Sequence, residues 1–176
     1  MDIDLLVKLS ARAWALPILA ALAAGTPGRQ AALLAATGAG RSAFQASLGQ
    51  LVALGLVARA GGHGHPLRPE FTLTARGAEI AALAARLDDL VPDAGAALLR
   101  RSWTLPVLAV TRSPRRFGEI RAGLPGITDR ALSLSLQGLE DQRWMRRAIA
   151  PDTRPARAFY QATGPGAQIS ALLAAA

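Results

Sequence analysis

Two segments of the chain carry apolar residues at the i, i+4, i+7 spacing of a helix with one buried face. These residues are Phe44, Leu48 and Leu51 in the first segment and Leu132, Leu136 and Leu139 in the second. Each segment follows three shorter helical patterns and precedes two extended runs and a closing amphipathic helix, with Gly- and Pro-containing turns between them. The pattern predicts a mainly α, α+β fold in which one order of elements occurs twice.

The two sets of predicted elements parallel each other. The short helices are predicted at about 3–10, 14–24 and 29–36 in the first set, and at 94–100, 103–111 and 117–122 in the second. The extended runs are predicted at 56–60 with 69–73, and at 144–149 with 158–162. A polar loop with turn-forming residues joins the runs of each pair, which is the pattern of a β-hairpin.

Sequence letters also repeat at a separation of 89 residues. Trp14-Ala-Leu-Pro-Ile-Leu-Ala returns as Trp103-Thr-Leu-Pro-Val-Leu-Ala, and Phe71-Thr-Leu-Thr-Ala-Arg-Gly-Ala-Glu-Ile returns as Tyr160-Gln-Ala-Thr-Gly-Pro-Gly-Ala-Gln-Ile. Two separate matches at one spacing favour a duplicated domain over chance similarity between Ala-rich helices. A tight turn between two helices, followed by a hairpin wing and a closing helix, is the order of a winged helix-turn-helix. We therefore predict two tandem winged helix-turn-helix domains at 1–88 and 89–176.

The two copies do not align at one spacing throughout. Within the long helix the apolar residues align at a separation of 88, which places Ser42, and not Arg41, at the position of Arg130. At the separation of 89, Arg29-Gln30 stands opposite Gly118-Glu119 in the preceding short helix. The first copy is accordingly expected to be the divergent one.

The second copy carries four consensus-like blocks in order. They are Trp103-Thr-Leu-Pro-Val-Leu, Arg115-Arg-Phe-Gly-Glu-Ile, Leu124-Pro-Gly-Ile-Thr-Asp-Arg-Ala-Leu-Ser and Leu136-Gln-Gly-Leu-Glu. In these blocks the copy resembles the HxlR family of bacterial regulators. The resemblance implies a sequence-specific, double-stranded DNA-binding transcriptional regulator, most often a repressor, and a family that usually forms homodimers of single modules.

The chain departs from that family in carrying two modules covalently. One polypeptide could then supply the pseudo-twofold pair by itself and bind an imperfect inverted repeat as a monomer, with a homodimer as the alternative. The chain has no cysteine, so a thiol-based sensing mode is excluded, as are disulfides and zinc-thiolate sites.

The charge balance favours an anionic partner. Lysine and arginine number 20 against 12 acidic residues, the net charge is +8, and only Lys8 is a lysine. A GC-rich genome would explain arginine in place of lysine but not the excess of bases. Residues 1–88 hold 8 basic and 5 acidic residues, and residues 89–176 hold 12 and 7. The second copy is expected to contribute more of the salt-dependent binding to DNA.

Polar side chains at the start of the two long helices are the candidates for contacts with base edges. They are Thr128, Asp129, Arg130, Ser133 and Gln137 in the second copy and Arg41, Ser42 and Gln45 in the first. One of Thr128 and Asp129 is also expected to cap its helix, whatever other contact it makes. The candidates for backbone and wing contacts are Arg115, Arg116, Arg121, Arg146, Arg147, Arg154, Arg157, Arg59 and Arg68. A solvated or salt-bridged surface role is the alternative for any one of these arginines.

Other function classes find less support. His63 and His65 lack the third and fourth ligands that a zinc site requires, so no metal and no cofactor are predicted. No catalytic triad, paired carboxylates or phosphate-binding Gly loop is recognisable, so an enzyme is not predicted. The longest apolar stretch is interrupted by prolines and glycine and the start of the chain is acidic, so we expect a cytoplasmic, nucleoid-associated protein without a membrane span. A tandem winged-helix adaptor for protein interactions in a chromosome or transcription complex is the alternative function.

Overall fold

The computed structural model describes residues 1–60, 69–91, 93–150 and 157–176. Contacts divide the chain into two compact units. The first unit is Arg12–Asp89, and the second unit combines Met1–Ala11 with Leu90–Ala176. Helix α1 (Ile3–Ser10) thus packs within the second unit, although the sequence prediction of domains at 1–88 and 89–176 assigned it to the first. Those limits otherwise stay a prediction.

Each unit has a small antiparallel sheet among helices. The first unit contains α2 (Ala15–Ala23), α3 (Gln30–Thr37), α4 (Arg41–Ala53), β1 (Val57–Ala60), β2 (Glu70–Leu73) and α5 (Ala75–Leu90). The second unit continues with α6 (Asp93–Leu99), α7 (Thr104–Val110), β3 (Arg115–Arg116), α8 (Phe117–Ala122), α9 (Asp129–Asp141), β4 (Met145–Ala150), β5 (Arg157–Ala162) and α10 (Gly164–Ala175). The protein is therefore a mostly helical α+β protein, as the sequence predicted.

The repeated tryptophans mark helix starts. Trp14 is the N-cap of α2 and Trp103 the N-cap of α7, and neither helix has a side-chain cap. Pro17 and Pro106 are the third residues of these helices, where an amide N–H has no intrahelical acceptor. Each proline therefore fixes the backbone of a first turn without removing a helical hydrogen bond.

The core of the second unit includes the helix from the start of the chain. In α1, Leu6 is 1% exposed and Leu9 is fully buried, and the helix packs against α7. Helix α10 packs on α7 as well, and the Met1 nitrogen donates a hydrogen bond to the Leu173 carbonyl of α10 at 3.0 Å. Burial of these leucines removes apolar surface from water and fixes α1 on the second unit.

The hairpins are antiparallel, and β1 and β4 are buried at their first residue and largely exposed after it. In the first unit β1 pairs with β2, with Val57 opposite Leu73 and Arg59 opposite Phe71. In the second unit the strand order is β3-β5-β4, and Met145 lies opposite Ala162. Strand β3 was not predicted, because two arginines between a proline and a short helix carry no strand periodicity.

A glycine shared by both repeats supports the junction between hairpin and closing helix. Gly77 in α5 lies against the Leu56 carbonyl, and Gly166 in α10 lies against the Trp144 carbonyl, so that a Cβ at either position would overlap the carbonyl oxygen. Trp144 itself is 4% exposed and immediately precedes β4, so its side chain packs at the base of the hairpin. The repeated Thr-x-x-Gly letters thus reflect one steric requirement met twice.

No single helix in the described residues is long and apolar enough to cross a membrane, and α1 with α2 reach that length and composition only as a pair broken by a sharp bend.

Candidate nucleic-acid interface

Helix α9 presents one apolar and one polar face. Its buried residues are Leu132, Leu136 and Leu139, as the spacing predicted. Arg130, Ser133 and Gln137 are exposed and follow one another at i, i+3 and i+7, so they lie along one outer stripe of the helix. None of these three side chains forms a hydrogen bond or ion pair within the part of the chain that the structure describes. The stripe therefore offers a guanidinium, a hydroxyl and an amide to an external partner.

The two residues before Arg130 are engaged within the protein. The Thr128 hydroxyl accepts a hydrogen bond from the Ala131 amide at 3.2 Å and caps α9, which confirms the capping alternative for this residue. The Asp129 carboxylate pairs with the Arg121 guanidinium at 2.7 Å. Both pairs lie at the surface: the first caps α9 from within, and the second links the start of α9 to α8.

Arg116 and Glu119 form a second pair on α8. The Arg116 guanidinium donates to the Glu119 carboxylate at 2.7 Å, and the Arg116 backbone amide donates to the same carboxylate at 2.8 Å. The side-chain hydrogen bond to Arg116, and then the backbone one, lower the pKa of Glu119, and the same pair raises the pKa of Arg116. Arg116, a predicted backbone contact, is thus paired with a carboxylate of its own chain.

The wing of the second unit carries exposed arginines. Arg146 and Arg147 on β4 and Arg157 on β5 are exposed. Tyr160 lies opposite Arg147 on one side and opposite Arg115 of β3 on the other. Directly opposed residues of antiparallel strands share a face of the sheet, so Arg115, Tyr160 and Arg147 form a row across three strands. This row places two cations and a hydroxyl on one surface.

Two residues of this surface were missed by the sequence prediction. Tyr160 was used only to align the repeats, and its place between two arginines follows from the unpredicted strand β3. Arg143 is exposed and has φ of 59°, the region that favours glycine, and Gly55 has the corresponding place before β1 with φ of 67°. At this left-handed position the first unit has Gly55 and the second unit has Arg143. An arginine in place of a glycine was the sequence signal that could have identified this cation.

The first unit presents a thinner set of polar groups. Arg41 and Ser42 are exposed at the start of α4, whose N-cap Gly40 has no side chain to accept a hydrogen bond. Gln45 is exposed, and its amide donates to the Gln30 side chain at 3.1 Å. Arg59 is exposed on β1. The remaining wing candidates Arg68 and Arg154, and the histidines His63 and His65, lie outside the described residues.

The alignment of Arg29-Gln30 with Gly118-Glu119 was wrong. Arg29 is the N-cap of α3, and Arg116 is the N-cap of α8. Both also form the strand contact beside the hairpin, since Arg29 bridges to Glu70 and Arg116 to Phe159. Gln30 therefore corresponds to Phe117, and the two units differ by a gap in the turn that precedes this helix.

Comparisons with known proteins place the second unit among regulators. Residues 98–176 match the family model described as HxlR-like helix-turn-helix. The Uncharacterized HTH-type transcriptional regulator YvaP of Bacillus subtilis (strain 168) is 34% identical over 77 residues, which cover 43% of this chain and 70% of that protein. The structure titled as the reduced form of the transcriptional regulator YodB from B. subtilis shows 26% identity over 47% of this chain and 81% of that chain, with a TM-score of 0.42.

Proposed function

The chain belongs to the HxlR-like helix-turn-helix family, and from this we propose that it is a sequence-specific, double-stranded DNA-binding transcriptional regulator. The single observation that carries the proposal is the outer stripe of α9. Arg130, Ser133 and Gln137 are exposed and have no partner among the described residues, whereas the apolar face of the same helix is fully packed. A helix of this kind fits the major groove, where such side chains reach base edges.

Each residue of the stripe has its own chemistry. The Arg130 guanidinium can donate two hydrogen bonds to guanine O6 and N7, and the Gln137 amide can bond adenine N6 and N7 in the same bidentate way. Ser133 is short enough to contact either a base or a phosphate. Thr128 and Asp129, which we also predicted as base contacts, hold the helix start in place and act through the position of Arg130.

The wing arginines supply contacts with the sugar-phosphate backbone. Arg146, Arg147 and Arg157 are exposed on β4 and β5, and Arg115 joins them through β3. Contacts of this type carry no sequence information but release counterions, so they strengthen binding to every duplex at low salt. The first unit, with Arg41, Ser42 and Arg59, is proposed as a second and weaker DNA-contacting winged helix-turn-helix domain. Occupation of a promoter by such a protein would repress transcription.

Two matched substitutions test the proposal in a salt-titrated gel shift against the DNA upstream of the chain's own gene. We expect Arg130→Ala to weaken binding to the selected site by about 1 to 3 kcal/mol and to relax the preference at one base pair. Arg147→Ala should weaken selected and unrelated duplexes alike and reduce the slope of log affinity against log salt by about one. The two side chains are both exposed, so neither substitution removes core packing.

Binding that ignores sequence in the wild type would refute the specific-regulator proposal. An equal loss on all duplexes for both variants would show that α9 is not the recognition helix. Absence of DNA binding at low salt would favour the protein-interaction adaptor.

A further inference from the structure

The first unit contains a surface cavity of about 220 Å³ between α3, α4 and the hairpin. Its apolar wall is formed by Leu48, which is 2% exposed, Phe71, which is 4% exposed, and Val52. Gly49 lies in the same wall and contributes no side chain. All lining residues belong to one unit, so the cavity is a property of that unit alone.

The cavity coincides with two positions whose side chains differ from their counterparts in the second unit. Gln30 is the first residue of α3 after its N-cap, where α8 begins with Phe117. Gly49 is the ninth residue of α4, where α9 has Gln137. Both side chains are smaller in the first unit, and the space beside them is bordered by polar groups.

Three polar side chains surround the opening. The Gln45 amide nitrogen donates to the Gln30 carbonyl oxygen at 3.1 Å, which leaves the Gln30 amide nitrogen and the Gln45 carbonyl oxygen available to a ligand. Arg59 lies directly opposite Phe71 in the hairpin, so its guanidinium extends from the same face of the sheet as the buried ring. Arg59 has no hydrogen bond or ion pair within the described part of the chain.

We propose that this cavity is a binding site for a small molecule with one apolar ring and a carboxylate. The wall of Leu48, Val52 and Phe71 would bury the ring, and Arg59 would bind the carboxylate as a charge-assisted pair. The volume lies below the roughly 300 to 1,000 Å³ of sites for drug-sized ligands, which limits the ligand to about a single ring. An arginine without a carboxylate partner beside an apolar wall matches that combination of groups.

The test uses the full chain without DNA and two probes, benzoate and the neutral benzamide, in isothermal titration calorimetry. Benzoate is expected to bind more tightly than benzamide to the wild type. Arg59→Met should lower benzoate affinity about 10- to 100-fold and leave benzamide affinity unchanged, since a hydrogen bond to a charged group contributes about 1.5 to 3 kcal/mol. Arg76→Met removes another exposed arginine of the same unit and should change neither affinity.

Gly49→Gln provides the second variant, because it installs the side chain that α9 carries at this position. A Cβ at Gly49 meets nothing within 4 Å, and glutamine favours a helix over glycine, so the variant should fold at least as well as the wild type. It is expected to abolish binding of both probes by filling the opening. Binding that survives Gly49→Gln, or an absence of benzoate binding at millimolar concentration to the wild type, would overturn the proposal.

A consequence for DNA binding rests on the proposed function. Gln45 and Arg59 are candidate DNA contacts of the first unit, so benzoate in the cavity would compete with DNA for these two side chains and weaken the gel shift of the wild type but not of Gly49→Gln. Benzoate binding without an effect on the gel shift would leave the site in place and refute its regulatory use. A chain that binds benzoate and no DNA would refute the proposed function alone.

Discussion

Carboxylate partners divide the arginines of the second unit into two groups. Arg116 and Arg121 each have a carboxylate oxygen at 2.7 Å, whereas Arg130 and Arg147 have no ion-pair partner among the described residues. A paired arginine must exchange its carboxylate for a phosphate, and so contributes less net free energy to DNA binding than a free one. The paired residues act at the surface chiefly by holding the ends of α8 and α9.

The pKa of Glu119 provides a direct measure of one such pair. Its value lies below the ordinary range because of the Arg116 side chain first and the Arg116 backbone amide second. A lowered folded-state pKa means that the pair stabilises the fold above the unfolded pKa of about 4.3, and that this contribution is lost as the pH falls through the folded value. We expect Arg116→Ala to raise the pKa of Glu119 towards its ordinary value, with part of the lowering retained by the backbone hydrogen bond, measured by NMR of the side-chain carboxyl carbon.

Arg115→Ala is the matched control for this titration. Arg115 affects Glu119 only as the smallest of the five causes, so the midpoint should move much less than in Arg116→Ala. If the titration midpoint of Glu119 moved equally in both variants, its lowered pKa would reflect the total nearby positive charge and not the hydrogen-bonded pair with Arg116.

At the scale of elements, the caps of the two long helices differ. Thr128 accepts a hydrogen bond from the Ala131 amide, whereas Gly40 leaves the corresponding amide of α4 without a side-chain acceptor. Thr128→Ala is expected to lower the free energy of unfolding by about 1 kcal/mol in urea denaturation. Gly40→Ser should raise it by a few tenths of a kcal/mol, because a Cβ at Gly40 meets nothing within 4 Å.

Thr128→Ser retains the acceptor oxygen and should remain close to the wild type. If Thr128→Ser were as unstable as Thr128→Ala, the stability would come from the threonine methyl group and not from the capping hydrogen bond. The same variants, tested on DNA, would show how far the position of Arg130 depends on the cap.

Helix α1 gives the sharpest prediction about an element. Leu6 is buried in the second unit, so Leu6→Ala should cost about 2 to 5 kcal/mol and lower the hydrogen-exchange protection of α7 and α10. Leu33→Ala is the matched control, since Leu33 is fully buried in α3 and belongs to the first unit. It should lower protection in α2 and α4. Loss of protection confined to α2 and α4 in Leu6→Ala would contradict the placement of α1.

Sequence periodicity was sufficient for the helices and the hairpin strands, but not for strand β3, for the unit to which α1 belongs or for the packing partners of the elements. The buried faces of α4 and α9 followed from leucine and phenylalanine spacing, because apolar burial is a property of the helix itself. The packing of α1 on α7 joins residues about 100 positions apart, and no local pattern encodes it. Strand β3 forms only because β5 provides its hydrogen bonds.

The candidate site was predictable in kind and not in detail. Arginine, serine and glutamine at the exposed positions of α9 were identified from the helical period, and all three are exposed. The pairs Arg116–Glu119 and Arg121–Asp129 depend on where side chains end in space, so the sequence could not separate engaged arginines from free ones. The hydrogen-bonded pair Gln30–Gln45 was likewise not predicted from the sequence, because the alignment of the repeats was wrong at the turn before α3.

At the scale of the whole molecule, two units in one polypeptide and an uneven charge distribution together predict an asymmetric complex. We expect the chain to sediment as a monomer and to bind an imperfect inverted repeat with one chain per duplex, since each unit would occupy one half-site.

The second half of the chain holds 12 basic residues and the exposed stripe of α9, against 8 basic residues in the first half. Scrambling the half-site bound by the second unit should therefore cost more affinity and remove more of the salt dependence than scrambling the other. Analytical ultracentrifugation of the chain with and without DNA measures the stoichiometry. Arg130→Ala identifies the half-site that the second unit binds. On a duplex in which that half-site is already scrambled, the substitution should cause no further loss of affinity. Two chains bound to one pair of half-sites, or equal losses of affinity for the two scrambled duplexes, would contradict the prediction that the two units of one chain bind DNA as an unequal pair.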